Sequence, residues 1–505
     1  MARGASPAAA RRGQGPLRSR PARPTLLPVP GRRWVVSVFL VLGACEASLP
    51  RRAGTVLYAS GAELQSINPL LTVHPLARQV QRYVLLTTLV RYDSTLVPEP
   101  YLARRWAWSA DRRVLTMHLT TALRWHDGAP TTARDAAWTL EAARDPATGY
   151  PRATDLADLS AVRVRDDSTL ILEFRAAQNV LPDVLTDLAI LPRHLLDSVP
   201  RGRLRLAAWN RRPVGNGPFR FVTHEPNRRW VFERNPDFPA ELGGAPRIQR
   251  LVIAVVDEPM TKLAALVSGE LDVAGVNPAH AAFVRKDPRL VLLDYPLLFT
   301  VGIVFNARRP PFHDPLARRR VEAALDRREI VDGYLFGFAT PADGPVPPDL
   351  PGYIGDRPPR PTGSGPGPSG PGPLAFELLT VGSGEAALEQ LVQAQLARAG
   401  IAARVRQLEL GTFLDQVYGP RHDFEAAVLG VPGDLGLGYL RPLAALSGLP
   451  APDDAAQLQR FFRDSAAAAF LYHARGVQGM NRRLQGVRMD VRGELVTVAR
   501  WTVVP

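Results

Sequence analysis

Apolar and polar positions along this chain follow two periods, and the switches between them mark out its elements. In "TTARDAAWTLEAAR" (131–144) apolar residues recur at helical spacing. Thr132 stands where an N-cap belongs and Asp135 three residues on, the arrangement of a capping box. "DEPMTKLAALVSGELDVAG" (257–275) predicts a helix stopped by Gly269, then a strand through Leu271 and Val273. "HDPLARRRVEAALDRREIVDGY" (313–334) predicts one helix after Asp314, with Pro315 in its first position. A second follows Asp326, with Glu329 closing its capping box. In "EAALEQLVQAQLARAGIAARVRQLEL" (385–410), Leu388, Leu391, Val392 and Leu396 share a helical face. Gly400 ends that helix, and the alternating "IAARVRQLEL" follows as a strand. Strands alternating with helices predict α/β lobes.

Two stretches break this texture. "GDRPPRPTGSGPGPSGPGP" (355–373) has the composition of a linker. "WVVSVFLVLGA" (34–44) is continuously apolar but shorter than the roughly 20 residues that span a bilayer. With Arg32 and Arg33 before it, this run fits the apolar region of a secretory signal. It ends at Cys45, the only cysteine in the chain, which therefore has no intrachain disulfide partner. Leu42-Gly43-Ala44-Cys45 resembles the bacterial lipobox, which implies that Cys45 becomes the lipid-modified first residue of a mature chain. Each buried acyl methylene contributes about 0.8 kcal/mol, so several chains on one residue hold a protein at a membrane durably.

Composition narrows the reading further. The residues after the leader exceed what one core can organise, so two or three lobes are expected. The formal charge of +14 suggests nucleic acid, but residues 1–52 hold ten arginines against Glu46 alone. The rest forms no basic stripe, and nucleic-acid binding is not expected. Lys262 and Lys286 are the only lysines.

Catalytic patterns are missing. There is no H-E-x-x-H, G-x-S-x-G, Walker loop or strand-to-helix G-x-G-x-x-G, and no two histidines stand four residues apart. His126-Asp127 in "LRWHDGAP" reads as a turn, Asp127-Gly128 being turn chemistry ahead of a capped helix. His313-Asp314 reads as a loop and N-cap. No enzymatic activity, cofactor or metal is expected.

Five blocks in order resemble the solute-binding proteins of bacterial ABC importers for peptides and nickel, solute-binding protein family 5. They are "PEPYLARRWAWSADRRVLTMHLTTALRWHDGAPTTARDAAWTLEAARDPATG" (98–149), "PVGNGPFRFVTHEPNRRWVFERNPDF" (213–238), "TKLAALVSGELDVAGV" (261–276), residues 305–353 with "FNARRPPFHDP", and "FLYHARGVQGMNRRLQGVRMD" (470–490). The resemblance implies an α/β, two-lobed periplasmic-binding-protein-like fold of type II, with a subdomain inserted in the first lobe. By it, 1–45 is a signal peptide with lipobox and 54–85 begins lobe I. The inserted subdomain covers 86–195, and lobe I resumes over 196–298. Lobe II covers 299–475 with the linker 355–373 inside it, and 476–505 returns to lobe I. The helix that the family usually carries after "LPGY" is replaced by the linker, which implies a trimmed second lobe.

The resemblance also implies a function and a site. It points to a monomeric, lipid-anchored receptor that captures a peptide-like ligand and passes it to permease subunits; an envelope interaction module on the same fold is the alternative. The family loop G-W-x-x-D, whose aspartate meets a ligand amine, aligns with Gly430-Val431-Pro432-Gly433-Asp434. Asp434 is thus the amine anchor and Gly430 part of the loop. Val431 replaces the tryptophan, and Pro432 has no N–H to offer. Val73 and His74 in "LTVHPL" (71–76) are the candidates from the opposite lobe.

Overall fold

The structure, a computed structural model, describes residues 53–72, 74–355, 372–382 and 384–504. Cys45, Val73 and most of the 355–373 segment lie outside the described residues.

Two long strands organise the fold. Leu290–Phe305 and Ala468–Asn481 run antiparallel through the middle of an 11-stranded sheet. On one side the sheet continues through Val273–Gly275, Thr55–Ser60, Arg250–Val255, Arg229–Arg234 and Phe219–Glu225. On the other it continues through Ala426–Pro432, Leu374–Val381 and Ile401–Leu408. The pairing of the two long strands is interrupted between Pro296↔Arg475 and Thr300↔His473. Pro296 has no N–H for the ladder, so a break at this point costs little. This interruption separates two lobes, and the two-lobed α/β expectation holds.

The first lobe carries an insert: a four-stranded antiparallel sheet ordered Ala103–Trp108, Val114–Leu119, Thr169–Phe174, Leu159–Asp166. The helix Ala133–Arg144 packs against it, with the Thr132–Asp135 capping box formed. One core unites insert and lobe. Tyr58, Phe219, Phe232 and Leu251 belong to the same cluster as Leu115, Met117, Leu140 and Leu172. The "GNGPF" motif makes the junction. Asn216 is fully buried and its side-chain oxygen accepts the Thr87 N–H at 2.9 Å. A Cβ on Gly217 would meet the Leu85 carbonyl carbon at 2.6 Å, so backbone passes there only without a side chain.

In the second lobe Leu374–Val381 and Ile401–Leu408 pair in parallel, joined by the helix Ala387–Arg398. Leu388, Val392 and Leu396 bury on one face of this sheet, while Phe413, Leu440 and Phe462 fill the other. "FNARRPPF" ties strand to loop: Asn306 donates to the His422 and Phe424 carbonyls at 2.9 Å, and the Phe305 and Phe312 rings stand 4.6 Å apart.

One expectation fails. Asp326 caps the helix Arg327–Tyr334, but Glu329 does not close a box. The Asp326 N–H donates instead to Gln395 Oε1 at 2.9 Å, and Glu329 accepts from Gln395 and Arg398. A tertiary partner from the neighbouring helix wins over the local one. The Asp127-Gly128 turn forms as read, with Gly128 at positive φ and its N–H on the Trp125 carbonyl.

Candidate ligand-binding cleft

A cavity of about 640 Å³ opens between the lobes, within the range of small-ligand sites. The second lobe contributes the loop after Ala426–Pro432, where Pro432, Gly433, Asp434 and Leu435 face it. The first lobe contributes arginines and aspartates of the helix Pro75–Val80 and of the insert.

At the centre of that wall is Asp187. Arg78, Arg82 and Arg152 reach its carboxylate at 2.6, 2.7 and 2.7 Å. Burial would push this carboxyl up, but the three guanidiniums overcome it and hold Asp187 far below the usual carboxylate range. Arg152 also pairs with Asp155 at 2.5 Å. Nearer the second lobe, Asp183 accepts from the Tyr92 hydroxyl through Oδ1, while its buried Oδ2 has no hydrogen-bond partner. A Cβ on Gly436 would run into that Oδ2, so the two lobes touch here.

Asp434 stands opposite this wall, its Oδ1 accepting the Gly438 N–H at 3.1 Å. Its charge is felt across the cleft. Burial pushes the Asp183 carboxyl up, the Tyr92 hydrogen bond opposes this, and the Asp434 charge adds to it. Burial likewise raises Asp155, against the pull of Arg152 and with a further push from Asp434. Around the whole cavity six arginines, Arg78, Arg82, Arg91, Arg152, Arg492 and Arg500, face seven carboxylates, the four named above with Glu99, Asp490 and Glu494. One negative charge is left over in a partly dewatered space, and a cation is the chemical complement.

The sequence-predicted residues separate here. Asp434 lies on the cavity wall. Gly430 lies two residues before Pro432, paired with Val301 and covered by the Phe299 ring. His74 caps the helix Pro75–Val80, its Nδ1 accepting the Ala77 N–H at 3.3 Å, and it is not among the cavity-lining residues. Val73 lies outside the described residues. Sequence reasoning did not find Asp183, Asp187, Arg152 or Phe299. Each sits in a segment without a motif, and only the folded wall brings them together. Among the described residues no group of three or more His, Cys, Asp or Glu side chains is arranged to hold a metal.

Comparison with known proteins agrees with this architecture. Residues 97–440 match the family model described as bacterial extracellular solute-binding proteins, family 5 Middle. A putative ABC transporter peptide-binding protein of Brucella ovis is 30% identical over 243 residues, 48% of this chain and 45% of that protein. The chain thus spans about half the length of the curated relatives it matches at that identity. Di/tripeptide-binding protein 2 of Pseudomonas aeruginosa is 27% identical over 421 residues, 76% of this chain and 74% of its own. Among solved structures, the oligopeptide-binding protein AppA of Bacillus subtilis, in complex with a nonapeptide, superposes with a TM-score of 0.71 at 21% identity, covering 89% of this chain and 99% of that one. With its two lobes, the strands that join them and a match over most of its length, the chain belongs to the bacterial extracellular solute-binding proteins of family 5.

Proposed function

We propose that this protein is the solute receptor of an ABC importer, capturing a peptide-like amine between its lobes and delivering it to a membrane permease. The observation that carries this reading is the unbalanced charge of the cleft. Asp434 from one lobe faces Asp183 and Asp155 of the other, while Arg78, Arg82 and Arg152 are engaged with Asp187, Arg91 with Glu99 and Arg492 with Asp490. An ammonium placed among these carboxylates gains from the low local dielectric and offsets the repulsion that closing the cleft creates. The names of the relatives, di/tripeptide- and oligopeptide-binding proteins, favour a peptide as the bearer of that amine. Asp434 is the anchor in this reading. Cys45, lipid-modified, would keep the receptor at the membrane surface facing the periplasm or exterior.

Native mass spectrometry of the purified protein tests this directly, by looking for a co-purified ligand. Calorimetric titration with Ala-Ala-Ala and with its N-acetylated form tests the charge. Binding of the free amine and loss of binding on acetylation are expected; equal binding of both would end the reading.

A further inference from the structure

The same cavity has an apolar side that charge balance does not explain. Between the pairs Pro296↔Arg475 and Thr300↔His473, Leu297, Leu298 and Phe299 stand opposite Ala474 alone. Extra residues on one strand bend it and re-aim its side chains. All three bulged residues line the cavity, joined by Pro432, Leu435 and Tyr439 of the second lobe. Phe299 is 37% exposed, whereas the other aromatic side chains of this sheet are buried or half-buried.

Two features hold this wall in place. The Gly433 N–H donates to the Leu298 carbonyl at 2.7 Å, which fixes the bulge to the loop that bears Asp434. The Phe299 ring lies directly over Gly430, where any Cβ would collide with it. Gly430 thus provides the space in which the ring rests. The apolar wall and the carboxylate are immediate neighbours: a Cβ on Gly433 would stand 3.3 Å from the Tyr439 ring and 3.5 Å from Leu298 Cβ. Asp434 is the next residue.

We propose that Phe299, seated on Gly430 and flanked by Leu298 and Leu435, is an apolar subsite beside the Asp434 and Asp183 carboxylates, so that the preferred ligand is a peptide whose amino-terminal residue carries an apolar side chain. This deepens the receptor reading and rests on it. The ammonium and the first side chain of a peptide leave the same carbon atom. A site with carboxylates and an apolar wall one residue apart matches that pair of groups. A ring left partly in water gains by covering such a side chain, and an aromatic one adds a favourable ring contact.

The test is calorimetric titration of the full chain with Phe-Ala-Ala, Ala-Ala-Ala and Ala-Ala-Phe. Phe-Ala-Ala is expected to bind about ten-fold or more tightly than the other two. Phe299→Ala should remove that preference, Phe-Ala-Ala losing its advantage over Ala-Ala-Ala. Gly430→Ala, which displaces the ring without deleting it, should act in the same direction. Phe299→Leu guards against a folding defect by retaining a preference for Leu-Ala-Ala over Ala-Ala-Ala. Equal affinities for the three peptides, or a preference that survives Phe299→Ala, would overturn the subsite and leave the receptor reading standing. If the folded protein binds none of them, the peptide-receptor reading fails and the subsite fails with it.

Discussion

Tyr295 on one inter-lobe strand lies against Gly476 on the other, directly opposite it in the pairing, and a Cβ at Gly476 would stand inside the tyrosine ring. The tyrosine hydroxyl donates to Glu494 Oε1 at 2.8 Å, and Tyr58 of the first lobe donates to the other oxygen of the same carboxylate. Glu494 lines the inter-lobe cavity. The strand that joins the lobes is thus tied to the cleft through one side chain, and the tie depends on a residue without one.

Gly476→Ala should therefore destabilise the protein by about 1–3 kcal/mol, the usual cost of forcing atoms into a filled space. Thermal melting measures this. Tyr295→Ala in the same chain should recover part of the loss, and a double-mutant cycle in which the two effects simply add would show that the contact carries no energy.

Asp434→Asn keeps the size of the side chain and removes its charge. It should weaken binding of Ala-Ala-Ala by about 2–5 kcal/mol, roughly 30-fold to several thousand-fold. The melting temperature without ligand should stay level or rise slightly, because Asp434 faces Asp183 and Asp155 across the cleft and its charge opposes closure. Unchanged affinity would retire Asp434 as the anchor.

Acid should weaken the fold through two buried histidines. Burial lowers both His126 and His473 to about 4, with His126 against the Gly217 carbonyl at 3.0 Å and His473 beside Thr300 at 2.9 Å. These rings stay neutral when folded, whereas the unfolded chain takes up protons below about 6.5. Their contribution is fully present above that pH and is lost progressively as pH falls towards 4. Melting curves from pH 7.5 to 4.5 should show the decline, and His473→Gln should make it shallower. A flat profile over that window would contradict buried neutral histidines.

Cys45→Ser should abolish incorporation of radiolabelled palmitate and leave the precursor unprocessed, because no other thiol exists to accept the lipid. Label entering the variant would show that the anchor lies elsewhere.

Local chemistry was legible from the residues alone. The Thr132–Asp135 box, the stop at Gly269 and the start at Asp314-Pro315 depend on contacts within one turn, and the chain forms them as read. The Glu329 box does not form, since Gln395 offers the Asp326 N–H a better-placed partner 69 residues away. The two-lobed architecture was legible through the motifs, because "GNGPF" and "FNARRPPF" encode the junctions where backbone must pass close or a buried amide must be satisfied. Asp434 came from its loop as a candidate, and the fold places it on the cavity wall.

The candidate site itself belongs to the tertiary structure. Asp187 needs Arg78, Arg82 and Arg152 from two other segments before it is an ion cluster rather than one more acidic residue. Asp183 becomes part of the site only where the insert meets Gly436. Phe299 is exposed because pairing slips between Pro296 and Thr300, and a slip in register is a property of two strands together. Short-range capping and turn preferences are written residue by residue. The charge balance and shape of a cleft are sums over distant segments, and they exist only once the lobes are folded and facing each other.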